Sequence, residues 1–195
     1  MSFPEIGKLA PNFKLPDQDG NIVELENFRG KTALIVYFYP RASTPGCTLQ
    51  ACGLRDVEAQ LKEKGYLALG ISFDPVAKIK KFQAKYQLNF PLLSDEDHAV
   101  IEQYGCWQLK KFMGREFMGT VRTTFIVAKD GRLLNVMTKF KTKSHHETLL
   151  DVLNELDWIA GSYARSGLIE AIAKLYPSFT PAVPKLYPAR FIVLV

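Results

Sequence analysis

The sequence predicts a mixed α/β sandwich, with helices on both faces of a central sheet. Three observations predict it. Residues 32–39 (TALIVYFY) and 66–72 (YLALGIS) are almost wholly apolar and rich in β-branched or aromatic side chains, as strands buried on both faces are. Apolar residues recur at helical spacing between and after these runs. A turn signal at 129–132 (KDGR) then joins two more strand-like runs, and a last amphipathic helix follows.

The elements follow in order. Residues 13–16 are a short extended piece, Asp17-Gln18-Asp19-Gly20 is a turn, and residues 21–25 alternate apolar and polar, which reads as an edge hairpin. After the first buried strand, Pro45 or Gly46 opens a helix expected to run to about Lys64. Leu49, Leu54, Val57 and Leu61 are assigned to its buried side, and Gly65 ends it. Val76, Ile79, Phe82 and Tyr86 mark a second helix. Residues 90–93 read as a short strand and 97–105 as a short helix. Residues 111–119 hold a near-duplication, Lys-Phe-Met-Gly then Glu-Phe-Met-Gly, and read as a loop or ribbon. Residues 121–128 and 133–139 are the strands on either side of the late turn. Ser144-His145-His146-Glu147 fits a capping box and begins a helix with Leu149, Leu150, Val152, Leu153 and Leu156 on or near one face.

A chain of 195 residues suits one domain with an appendage, and it can bury a core without disulfide staples. The expected division is a domain over residues 1–157 and a C-terminal extension over 158–195. The extension carries a possible helix at 167–175, a Pro- and aromatic-rich run and an apolar end, 191–195 (FIVLV). An exposed end of that kind would be sticky, which favours packing on this chain or on a neighbour. The net charge of +5 comes without a basic block or reader motif, so no nucleic-acid partner is expected. No run of about 18 apolar residues is present, so no membrane span is expected. Three cysteines do not make a secreted disulfide framework, and residues 1–5 do not read as a signal peptide. The expected compartment is the cytoplasm, where thiols are kept reduced.

Chemistry is concentrated in residues 39–52 (YPRASTPGCTLQAC). Cys47 follows Pro-Gly at the start of a helix, directly behind a buried strand. Free helix N–H groups and the positive end of the dipole favour the thiolate there. Cys52 follows five residues later, which suggests redox chemistry in which one sulfur attacks and the other reseals. In a regular helix the two Cα atoms stand roughly 8.6 Å apart. A disulfide wants about 4.4–6.8 Å, so the first turns must unwind before the sulfurs can meet. Gly46 and Gly53 make that unwinding easier. Alternative readings exist for each residue. The C-x4-C spacing is also half a zinc site, but the other half is missing, so no metal is assigned. Cys106 reads as core packing, His145 and His146 as solvated residues of a helix's first turn, and His98 as carrying no functional signal.

At these residues the chain resembles the peroxiredoxins, most closely the bacterioferritin comigratory protein, or Q-type, branch. The family pattern P-x-x-x-T-x-x-C reads as Pro40, Thr44 and Cys47, and the branch run TPGCT-x-QACGLRD reads without a break from Thr44 to Asp56. Leu69-Gly70-Ile71-Ser72, Leu92-Leu93-Ser94-Asp95, Phe112-Met113-Gly114 and Arg122 match as well. The resemblance covers residues from about 5 to 157 and implies a thioredoxin-like fold. It implies that Cys47 is the peroxidatic thiol and Cys52 the resolving one. It implies that Thr44 lends its hydroxyl to thiolate and peroxide, that Arg122 favours the thiolate and the charge developing on the peroxide oxygens, and that Pro40 shields the pocket from water. It further implies peroxide as substrate, thioredoxin or a similar dithiol as reductant, and no cofactor.

Two departures stand out. The segment beyond Asp157 matches nothing in the branch, which leaves a monomer or a dimer built through the extension. Cys106 stands where aliphatic residues are common, so a spare resolving thiol is an alternative to packing. Two rival functions fit the same residues. One is a general thiol–disulfide oxidoreductase, which would use an absent C-x-x-C. The other is a redox sensor or chaperone that uses the switch or the apolar tail.

Overall fold

The computed structural model describes residues 2–165 except Met113, with only the backbone described at Phe112, Arg115 and 159–165. The chain divides into two units between His146 and Glu147.

The first unit opens with a hairpin of β1 (Lys14–Pro16) and β2 (Ile22–Glu24). Asp17 builds its turn. One carboxylate oxygen accepts the N–H groups of Asp19 and Asn21 at 2.8 and 2.9 Å, as a short acidic side chain does when it replaces a backbone partner. Next come β3 (Ala33–Phe38), α1 (Pro45–Asp56), α2 (Glu58–Glu63), β4 (Tyr66–Ser72), α3 (Val76–Tyr86), β5 (Leu92–Ser94) and α4 (Ala99–Gln103). A second hairpin, β6 (Trp107–Phe112) with β7 (Arg115–Thr120), precedes the strands β8 (Thr123–Val127) and β9 (Leu133–Met137). The central sheet has the order β5-β4-β3-β8-β9. β3 lies in its middle, parallel to β4 and antiparallel to β8.

Alternation along β3 assigns the two faces. Leu34, Val36 and Phe38 belong to an apolar core with Phe125, Val127, Tyr104, Cys106 and the α4 residues Val100 and Ile101. Ile35, Tyr37 and Tyr39 point the other way. On that side Tyr39 meets Phe82 of α3, with ring centroids 6.1 Å apart. Both faces are therefore covered, which is why β3 and β4 read as continuous apolar runs.

Three expectations are corrected. The helix predicted from Pro45 to Lys64 is two helices, joined at Val57 with φ −105° and ψ 6°. Leu49, assigned to the buried side, is half exposed. The inner face of α1 is instead Cys47, Gln50, Ala51 and Leu54, the i, i+3, i+4, i+7 stripe. Leu49 lies about 140° around the helix from Leu54, and a pattern that counts apolar residues discounts the cysteine and glutamine that take its place. The ribbon expected over 111–119 begins earlier, at Trp107. Gly65 ends α2 as expected, at φ +80°, a conformation that favours glycine.

The last helix, α5 (His145–Arg165), spans the start of the second unit, and Leu149, Leu153 and Leu156 are its buried leucines. No helix among the described residues is long and apolar enough to cross a membrane. The possible helix at 167–175 and the tail after it lie outside the described residues.

Candidate active site

β3 ends at Phe38, and the chain turns through Pro40 to Thr44 before α1 begins. Ser43 adopts φ +64°, a left-handed conformation uncommon for a residue with a side chain. The loop is pinned from outside. The buried carboxylate of Asp74 accepts the Ala42 N–H at 2.5 Å, and Lys78 pairs with the other carboxylate oxygen. Thr44 is the N-cap residue of α1 and Pro45 is its first helical residue, but no side chain caps the helix. The Thr44 hydroxyl donates instead to the Arg41 carbonyl at 3.0 Å. The first-turn N–H groups, with the positive end of the helix dipole, are thus left for the site.

Cys47 stands in this first turn and is 1% exposed. Arg122, in the short link between β7 and β8, donates from Nη2 to its Sγ at 3.3 Å. The other terminal nitrogen, Nη1, donates to Oε1 of Gln50 at 2.5 Å. Gln50 is fully buried one turn along α1, and among the described residues its Nε2 has no partner. One guanidinium therefore ties the sulfur and the next turn of its helix to the start of β8. Tyr37 lies under the same helix. Burial first, then Tyr39 and the Cys47 sulfur, hold its phenol well above the ordinary range, and Cys52 acts in the same direction.

Cys52 is half-buried and follows in the same unbroken helix; both sulfurs are free thiols. Gly53, beside it, allows a close approach. A Cβ there would come 2.4 Å from Nδ1 of His146, so an alanine would force the imidazole aside.

The predicted site residues thus divide. Cys47 and Arg122 are in contact. Pro40 and Thr44 precede the sulfur in the loop that leads to α1, but the Thr44 hydroxyl is turned to a backbone carbonyl. Cys52 shares the helix with Cys47 and cannot reach it while the helix is intact. Cys106 is fully buried on the opposite side of the sheet, where burial pushes its thiol up to about 12.

His145, expected to be solvated, is fully buried. Its Nε2 shares a hydrogen bond with the Thr124 hydroxyl at 2.9 Å, and its ring packs on Phe140 with centroids 4.3 Å apart. Burial first, then Arg122 and His146, pushes its pKa down to about 3. A capping-box reading places histidines in a solvated first turn, whereas here His145 is laid against Thr124 of β8. Gln50 and Asp74 were also missed. Gln50 carries a signal, three residues after Cys47 and so on its face of the helix. Asp74 carries none, since its partner is a backbone amide 32 residues away.

Comparison with known proteins fits this geometry. Residues 6–136 match the AhpC/TSA family. The chain is 52% identical to peroxiredoxin Bcp of Escherichia coli K12 over 149 residues, covering 76% of this chain and 95% of that one. Among solved structures, peroxidoxin BcpB of Mycobacterium tuberculosis is similar at 34% identity and a TM-score of 0.68, covering 77% of this chain and 96% of that one. The bacterioferritin comigratory protein of Xanthomonas campestris, studied for its alkyl peroxide reduction activity, is similar at 29% identity and a TM-score of 0.69. There the coverage is 73% of this chain and 90% of that one.

Proposed function

The chain belongs to the AhpC/TSA family, as a peroxiredoxin of the Bcp or Q type, and on that premise we propose that it reduces hydrogen peroxide and small alkyl hydroperoxides through Cys47 and Cys52, with thioredoxin or a similar dithiol as reductant. The observation that carries the reading is the 3.3 Å contact between Arg122 and the Cys47 sulfur. A guanidinium donor beside a thiol at a helix mouth favours the anion, and the thiolate is the attacking form.

The Cys47 thiolate attacks one peroxide oxygen in line with the O–O bond. An S–O bond forms, the O–O bond breaks, and the sulfur gives up two electrons. The other oxygen leaves as hydroxide or alkoxide and takes a proton to become water or an alcohol. Arg122 and the helix N–H groups are donors already in place for that negative charge, so little reorganisation is needed as it develops. The Thr44 hydroxyl, donating to Arg41, keeps its lone pairs to accept from the peroxide O–H. Pro40 shields the pocket from water. Cys47 is left as a sulfenic acid.

α1 then unwinds, and the Cys52 thiolate attacks the Cys47 sulfur. An S–S bond forms and hydroxide departs, becoming water with the proton that Cys52 gave up. A dithiol reductant returns both thiols by exchange and leaves as its own disulfide. The reading places the chain in the cytoplasm, where such a reductant pool exists, with residues 158–195 as an appended segment outside the catalytic domain.

The test is stopped-flow turnover with hydrogen peroxide and thioredoxin, followed by mass spectrometry of the oxidised protein. Peroxide consumption coupled to thioredoxin oxidation, with a Cys47–Cys52 bridge, is expected. Reduction of a disulfide substrate such as insulin, without peroxide turnover, would replace the peroxidase with a thiol–disulfide oxidoreductase.

A further inference from the structure

Lys110 stands on β6, outside the motif residues, and its surroundings are unusual for a lysine. Its ammonium donates to the carbonyl oxygen of Thr120 at 3.2 Å. Thr120 ends β7, two residues before Arg122. The lysine stem crosses Gly119, where a Cβ would stand 3.4 Å from its Cδ. The side chain is partly buried, and among the described residues no carboxylate pairs with it. Its neighbour Lys111 is the ordinary case, exposed and facing Glu116 at 3.8 Å.

Two cations therefore bracket the short link after β7: Lys110 on the Thr120 carbonyl, and two residues on Arg122, which reaches the Cys47 sulfur. Burial first, then the Arg122 guanidinium, keeps the Lys110 ammonium below the usual lysine range, and the Cys47 sulfur pulls it back. Like charges brought together cost free energy unless a negative charge joins them. The negative charge available here is the thiolate, and during reaction the departing oxygen.

We propose that Lys110 is a positioning residue of the peroxide site, holding the strand end that leads to Arg122 and adding a second positive charge to the field at Cys47. The proposal rests on the reading of Cys47 as the attacking sulfur. Lys110 does not touch the sulfur; it acts through the Thr120 carbonyl and through its field.

The experiment compares wild type with Lys110→Met, Lys110→Gln and Lys110→Arg in the full chain. One measurement is the second-order rate of Cys47 oxidation by hydrogen peroxide in a single turnover. The other is the ratio of Cys47 alkylation rates by iodoacetate, an anion, and iodoacetamide, its neutral counterpart. The neutral variants should oxidise about three- to tenfold more slowly, the range expected when one charge that does not touch the sulfur is removed from the field at the site. Their iodoacetate-to-iodoacetamide ratio should fall by a similar factor, and Lys110→Arg should restore both. An unchanged ratio would overturn the proposal, because lost packing slows both reagents alike. Failure of arginine to restore the ratio would overturn it as well. The alkylation ratio reads the charge of the pocket even if peroxide proves not to be the substrate, so failure of the peroxidase reading would show separately, as absent peroxide turnover.

Discussion

Cys47 and Cys106 are two buried thiols with different surroundings. Each is at most 1% exposed, and each lies against the central sheet. Cys47 sits in the first turn of a helix, with a guanidinium nitrogen 3.3 Å from its sulfur. Cys106 sits in the apolar core on the other face, its sulfur 3.7 Å from the Tyr104 carbonyl, and burial pushes its thiol up to about 12. Burial by itself therefore says little about a cysteine. The donors that face the sulfur decide whether it becomes a nucleophile or a packing group.

Placing serine at both positions tests this most directly. Cys47→Ser should lower peroxide turnover by a factor on the order of 10³ or more with the fold intact. Cys106→Ser should leave turnover in place and cost about 1–3 kcal/mol of stability, because it buries a hydroxyl among apolar side chains. Urea titration and a peroxide assay on the two variants check both halves, and loss of turnover in Cys106→Ser would erase the distinction.

Cys52→Ser should permit one turnover and then stall in thioredoxin-coupled cycling. Continued cycling, followed by time-resolved mass spectrometry, would mean that another sulfur resolves the sulfenic acid. Cys106 would then have to leave its core. Arg122→Ala should slow the first oxidation by about 10²–10³, the usual effect of removing one donor to developing charge. A rate within twofold of wild type in single-turnover kinetics would remove the arginine from the contrast between the two thiols.

The smallest effect concerns pH. His145 is held near 3 in the folded chain, against about 6.5 when unfolded. Between those values the unfolded state takes up a proton that the folded state refuses. Stability at this residue is therefore full above about 6.5 and falls as the pH drops, by up to about 1.4 kcal/mol per unit. Asp95 opposes this over part of the range. Burial raises its pKa to about 6, so its contribution is full below about 3.9 and declines as the pH rises towards 6. The informative quantity is the difference between wild type and His145→Gln in denaturant midpoint from pH 7 to 4. The variant should lose the acid-side slope, and identical slopes would mean that His145 is not held neutral.

The sheet was legible because β3 and β4 bury both faces, so their residues had to be apolar throughout. The place of Cys47 in the first turn of a helix was legible because Thr-Pro-Gly-Cys marks a helix start. Contacts that join distant segments were not legible in any local pattern, and the pairing of Arg122 with Cys47 came only with the family resemblance. The Asp74 carboxylate is on the Ala42 amide, Lys110 is on the Thr120 carbonyl, and His145 is on Thr124, and no local pattern announces any of them. Leu49 and Gln50 exchanged roles for a related reason. Hydrophobic periodicity assigns leucine inward, but a guanidinium at the helix face rewards an amide there.

The joint at Val57 has a consequence for the proposed catalytic cycle. Because α1 stops there and α2 begins afresh, melting of the first helix would have a built-in stopping point. On this reading the oxidised protein would expose little more than a dozen residues to proteases and deuterium, while α2 and the sheet beneath it stay as protected as before. On the proposed mechanism the joint would work as a firebreak, keeping a disturbance that recurs with each peroxide molecule from spreading into the rest of the molecule.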